Sequence, residues 1–271
     1  MTVASASLAK KVRISILQMC SESRSSHVAS SLSVADILAV LYSGAANVHG
    51  SGPNSPDRDV VLLSKGHAAA ALYATLAHQG FFPVEWLSRY TSNGAELGGH
   101  VTAGRIPGVE LSTGSLGHAL PVGAGIAYAQ RLRSLTSRVF VVTSDGEWGE
   151  GSNWEAALFA GHHGLGNLTV VIDRNRLQSL DSTEVTLRLD PLDDKLASFG
   201  WRVVAISGHD HDGLFRELSD SERDPRAEGP LAIICETVKG KGVSFMENSV
   251  EWHYRPPDEK QLDEALREVR S

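Results

Sequence analysis

The feature that most constrains this 271-residue chain is a recurring pair of segments. A short run of Val, Ile and Leu stops at Gly, Asp, Ser or His, and a longer stretch with apolar residues at helical spacing follows. Apolar runs of this kind describe strands covered on both faces, which belong to parallel sheets whose crossovers are helices. The pattern predicts strands at Val60–Leu63, Val139–Thr143, Leu168–Asp173, Val203–Ile206 and Leu231–Glu236. It predicts helices at Ser33–Tyr42, His67–Gln79, His118–Arg133, Trp154–His163, Pro191–Phe199 and Pro257–Val269, with Ser33 placed to cap the first. Their alternation selects an α/β fold with a doubly wound, mainly parallel sheet flanked by helices. Residues 1–271 read as a single domain, since no linker, internal repeat or low-complexity tract divides them.

Charge and cysteine usage narrow the chemistry. A formal net charge of −7 lacks the basic excess that a phosphate-backbone partner requires, so nucleic acid is not expected. Cys20 and Cys235 lie far apart without CxxC spacing, which argues against a zinc site or disulfide framework and fits a cytoplasmic location. The first twenty residues carry charges within their weakly apolar run, so neither a signal peptide nor a membrane span is expected there. No other segment is expected to supply the roughly 20 apolar residues of a spanning helix.

The strand RVFVVT runs directly into SDGEWGEG and delivers Asp145 at its carboxyl end; LTVVID delivers Asn175 one crossover unit later. Gly146 lets a backbone N–H approach an oxyanion closely, and the helix that starts just beyond adds partial positive charge. A carboxylate, an amide oxygen and a nearby carbonyl are hard donors suited to Mg²⁺ or Ca²⁺. Taken singly, Asp-Gly is a turn and Asn a cap; their shared strand-end context carries the metal reading. Of two long loops, 91–117 is rich in glycine and 239–257 carries Phe245, Trp252 and Tyr254, and loops of such length in a compact domain tend to be functional. His27, His67, His100 and His253 all fall at strand ends, helix starts or loop tips, where imidazoles serve as hydrogen-bond donors and proton carriers.

These segments resemble the transketolase family. The motif SDG…EA…NLTVVIDRN, the segment SKGHAAAALY, the GGH of the first long loop, the stretch GVELSTGSLGHALPVGAG, and WH after TVKGKG carry the likeness, which runs from about residue 8 to 257. The resemblance implies thiamine diphosphate (ThDP) with Mg²⁺, for which Ca²⁺ or Mn²⁺ can substitute, held by Asp145, the Asn175 side chain and the Leu177 carbonyl. It implies that Gly146 and Glu147 give N–H groups to the diphosphate, as His67 and His253 do with their rings. Gly114, Ser115 and Leu116 would lie over the cofactor, and His27, His100 and His253 would face a sugar or sugar-phosphate substrate. Glu150 and Glu155 would lie at a dimer contact. The chain departs from the family at Ser144, where the motif starts with Gly, after His27, where Pro-Gly or Ile-Gly-Gly is usual, and at Tyr254, where Gly is frequent.

The implied activity is transfer of a two-carbon ketol unit from a ketose to an aldehyde. The glutamate that activates the cofactor belongs, in the family, to a pyrimidine-binding domain with no counterpart in this sequence. A separate C-terminal subunit, joined in an α2β2 assembly, is therefore expected. An acyloin or deoxysugar-phosphate synthase subunit with an α-keto acid donor, and a noncatalytic structural subunit, are the alternatives.

Overall fold

In the computed structural model, which describes residues 2–50, 55–219 and 229–271, five strands form one parallel sheet. They are β1 (Val60–Leu63), β2 (Val139–Ser144), β3 (Leu168–Arg174), β4 (Arg202–Ser207) and β5 (Leu231–Glu236), in the order β1-β2-β3-β5-β4. The reason the strand segments read as unbroken apolar runs is visible in β2. Phe140 and Val142 enter the core on one face of the sheet and Val139 and Val141 the core on the other. Only β4, at the sheet edge, is partly exposed along its length.

On the first face lie α1 (Thr2–Glu22), α2 (Val28–Val40) and α3 (Ala69–His78). The second carries α4 (Ala119–Leu132), α5 (Gly151–His162) and, after the short α6 (Thr183–Thr186), α7 (Leu192–Ser198). Two further helices, α8 (His211–Leu218) and α9 (Glu259–Arg270), complete the first face. The last begins with a reciprocal cap between Asp258 and Gln261.

Three expectations need correction. The helix expected from Ser33 starts at Val28, and Ser33 is an interior residue whose hydroxyl donates to Asp173 at 2.6 Å. Residues 2–22, considered above only as a possible leader, form α1, whose Leu8, Val12, Ile16 and Met19 are buried at helical spacing. Finally, Val28–Ala45 does pass the length and composition test for a membrane span, with mean hydropathy 1.5 over 18 residues. It is 89% buried, because a helix enclosed by α1, α3 and α8 is apolar all round.

Candidate cofactor and metal site

Neighbouring strands β2 and β3 run side by side, with Ser144 in register with Asp173, so their carboxyl ends present Asp145 and Asn175 together. Asp145 Oδ2 accepts the Arg176 N–H at 2.6 Å and Oδ1 accepts the Gly146 N–H at 2.8 Å. The Asn175 amide nitrogen donates to Ser33 and its oxygen accepts the Leu177 N–H at 3.2 Å. Asp145 is 1% exposed, and among the described residues no basic side chain forms an ion pair with it. Burial, and then the Asp173 carboxylate, push its pKa up to about 6. An all-oxygen donor set around a buried carboxylate in need of positive charge fits a hard divalent cation.

A cavity of about 260 Å³ opens over these strand ends. All four expected histidines line it, with Gly114, Leu116, Asp145, Gly146, Asn175 and Leu177. The His27 ring centroid lies 5.1 Å from that of His67, 6.1 Å from His100 and 5.0 Å from His253. His27 itself has φ 71°, a left-handed conformation held by its N–H bond to the His253 carbonyl at 2.8 Å. Tyr254 stands at the cavity edge, 61% exposed, its ring 4.7 Å from that of His253. A larger cavity of about 340 Å³ shares Asp145 and Gln178 with the first and is walled by Trp148, Trp154, Leu187 and Phe199.

Two expected residues do not line the cavity. Ser115 is exposed in the glycine-rich turn. Glu147 is fully buried, and its carboxylate accepts from Ser64 Oγ at 2.5 Å and from the Gly117 and Ser144 N–H groups at 3.0 Å. It ties three segments of the site together. Gly117, at φ 79°, admits no Cβ, which would meet Glu150 Cβ at 2.6 Å, and at Gly66 a Cβ would fall 2.3 Å from the Thr113 carbonyl oxygen. Glu150 and Glu155 are both exposed.

Sequence reasoning missed three charged residues, Lys65, Asp173 and Lys239. Lys65, 1% exposed, donates to Asp173 Oδ2 at 2.5 Å and to the Ser30 carbonyl at 3.0 Å. Lys239 Nζ contacts the Leu177 and Gln178 carbonyls at 3.3 Å each and His253 Nδ1 at 3.0 Å. Both lysines line the cavity. Burial, and then the charge of Lys65, bring the Lys239 pKa down to about 8. A lysine reads by default as a surface residue; the available signal was position, Lys65 standing two residues before His67 and Lys239 opening the second long loop.

Burial and the surrounding cations keep His27, His67 and His253 neutral. His27 is brought down to about 4 by burial, then by His100, Lys239 and Lys65; His253 falls to about 3 by burial, then by Lys239 and His27. A folded-state pKa below the unfolded value of about 6.5 means that unfolding takes up a proton. The stabilising contribution is complete above pH 6.5 and is lost as pH falls from there toward 4. Relative to His27→Gln, the wild-type chain should therefore lose up to about 1.4 kcal/mol per pH unit in that window. Denaturant unfolding of both proteins at pH 7.5, 6 and 5 checks this, and a pH-independent difference would refute it.

The comparisons with known proteins bear on the family and the fold. Residues 4–269 match the family model described as transketolase, thiamine diphosphate binding domain. The chain is 39% identical over 264 residues to one of the named subunits of the apulose-4-phosphate transketolase of Actinobacillus succinogenes, covering 97% of this chain and 94% of that protein. It is 38% identical over 244 residues to the 6-deoxy-6-sulfo-D-fructose transketolase subunit SqwG of a Clostridium species, covering 90% and 88%. Among solved structures, transketolase from Leishmania mexicana superposes with TM-score 0.88 at 26% identity over 98% of this chain, which spans 41% of that longer polypeptide. With the family model, relatives of matching length and a shared fold in agreement, the chain belongs to the transketolase thiamine diphosphate binding domain family.

Proposed function

We propose that the chain is the diphosphate-binding subunit of a two-subunit transketolase, moving a two-carbon ketol unit from a ketose to an aldehyde. The observation that carries this is the convergence of Asp145, Asn175, Leu177, two buried lysines and four histidines on one cavity at the strand ends. In this reading Asp145, the Asn175 amide oxygen and the Leu177 carbonyl hold Mg²⁺. The carbonyl has two lone pairs, so the Lys239 contact and a metal bond are compatible. Lys65, Lys239, His67 and Gly146 face the diphosphate, and Gly114 and Leu116 cover the ring system.

When bound, ThDP supplies the carbon nucleophile and electron sink for breaking and making the C–C bond next to a ketose carbonyl. The chain's own part is to orient the sugar and exchange protons with it. The Lys239 ammonium donates to Nδ1 of His253, which leaves its Nε2–H to donate to a hydroxyl; Nδ1 of His27 meets Ser26 Oγ, which leaves Nε2 as donor or acceptor according to the tautomer, and His100 lies 6.1 Å from His27. The low pKa of His27 suits acceptance of a hydroxyl proton only transiently, which keeps this ring a hydrogen-bonding partner at neutral pH.

A partner subunit completes the site. Relatives of matching length are named as single subunits of their transketolases. A pyrimidine-binding subunit bearing the activating glutamate, assembled as α2β2 with residues 1–271 as one domain, fits that observation. The test is reconstitution. Ketol transfer should be near background for the purified chain with ThDP and Mg²⁺, and should appear on addition of the pyrimidine-binding subunit. Full turnover by the chain alone would overturn this reading.

A further inference from the structure

Away from the cavity, three segments converge on one buried carboxylate. Asp36 of α2 accepts both guanidinium nitrogens of Arg13 from α1, at 2.9 and 2.5 Å, His209 Nδ1 at 2.6 Å and His211 Nε2 at 3.0 Å. Burial opposes its charge, yet the bonds from His209, His211 and Arg13 hold it well below the ordinary carboxylate range. His209 lies just beyond β4, and its other nitrogen, Nε2, accepts the backbone N–H of Val238 at 2.9 Å. An N–H donates only to an unprotonated ring nitrogen, so the proton of His209 sits on Nδ1, facing Asp36.

Val238 precedes Lys239. On the far side of that lysine, the Gly240 N–H donates to the Ala29 carbonyl at 3.0 Å, and the Lys239 carbonyl itself accepts the Asn248 N–H at 2.9 Å. The backbone of Lys239 thus hangs between fixed points, and the one nearest β5 is a histidine whose tautomer a buried aspartate dictates. The side chain it carries joins the Leu177 and Gln178 carbonyls to His253.

We propose that Asp36 and His209 form a positioning pair for Lys239: the aspartate fixes the His209 tautomer that accepts from Val238, and that bond sets the ammonium against the diphosphate pocket. This rests on the functional reading above, in which Lys239 faces the cofactor. His209 is not among the cavity-lining residues and acts through the peptide it holds.

The two bonds of His209 are separable. Glutamine places an amide oxygen near the Nε2 position and keeps the acceptor for Val238. Asparagine keeps a donor to Asp36 but leaves the Val238 N–H unmatched. In the complex reconstituted with the pyrimidine-binding subunit, ThDP is titrated at fixed Mg²⁺ by calorimetry, with kcat and the apparent KM for ThDP measured alongside. His209→Asn should raise the ThDP Kd roughly 10-fold, as loss of a supporting hydrogen bond behind a ligand does, with kcat at saturating cofactor little changed. His209→Gln should recover most of that loss. Lys239→Met should weaken binding at least as far, and His209→Asn added to it should cost nothing more, because the two act in series.

Equal losses for Asn and Gln, or a His209→Asn loss that persists in the Lys239→Met background, would overturn the proposal and leave His209 a fold residue. Should His209→Asn fail to fold, Asp36→Asn, which keeps the side-chain shape, carries the same test against Lys239→Met. Wild-type complex that binds no ThDP overturns the functional reading and this proposal with it; wild-type binding with the wrong variant pattern overturns the proposal alone.

Discussion

Asp145→Asn is expected to remove metal-dependent ThDP binding while leaving the cofactor-free fold as stable as wild type, or more so. The two effects have opposite signs because the carboxylate is an unfavourable neighbour until a cation joins it. It is buried, it stands near Asp173, and its pKa is pushed up to about 6. A folded pKa above the unfolded value of about 3.9 means that the charged form costs stability at pH 7. Asparagine keeps an oxygen for one of the two N–H groups, from Gly146 or Arg176, and discards the charge. Loss of a metal-bound carboxylate should weaken cofactor binding by more than the ~10–100-fold seen for the groups behind such ligands. Thermal melting of both proteins, with and without ThDP and Mg²⁺, reads both effects. A variant that melts well below wild type without cofactor, or that still gains stability from it, would count against the metal site.

Asp173→Ala should destabilise the chain by about 3–5 kcal/mol, the range for removing one partner of a buried ion pair. Its carboxylate is fully buried and accepts from Lys65, Ser33 and Thr237, drawing β1, α2, β3 and the end of β5 together. With the carboxylate gone, the Lys65 ammonium has one carbonyl, that of Ser30, and almost no water. The double variant Lys65→Met with Asp173→Leu should recover most of the stability, since an apolar pair of similar volume avoids the desolvation cost. Because Lys65 lines the cofactor cavity, that double variant should remain defective in ThDP binding. Chemical denaturation combined with cofactor titration separates the two roles; a single variant within about 1 kcal/mol of wild type would show the pair to be dispensable.

The sheet was legible in the sequence because its strands are buried on both faces and punctuated at their ends. β1 and β5 have the predicted bounds, and β2 and β3 run one residue further. The helices were less so: α5 begins three residues before Trp154, since the GEGS turn gives no cap signal, and α1 was hidden by serines and lysines interleaved with its apolar stripe. Asp145 and Asn175 were readable since they sit where a strand stops, and the histidines since they stand at helix starts or in long loops, positions visible in one dimension. Lys65, Asp173 and Lys239 were not. Most of their partners lie 35 to 140 positions away, such as Asp173 for Lys65, and no local pattern reports such a pairing. Asp36 with His209 and His211 is harder still, because each residue looks locally like an ordinary helix or loop residue.

Two kinds of backbone hold the cavity. Asp145 and Asn175 follow directly on buried strands of the central sheet, whereas His100 and the pair His253–Tyr254 ride on the long loops 91–117 and 239–257. Loops tolerate substitution and insertion far better than buried strands do. Selection on such a scaffold can exchange one sugar for another by editing the loops while the anchoring strand ends stay constant, so a lineage acquires new substrates without reinventing its cofactor chemistry. Relatives named for apulose-4-phosphate and for a sulfonated fructose, each more than a third identical to this chain, are the diversity such a division of labour would leave behind.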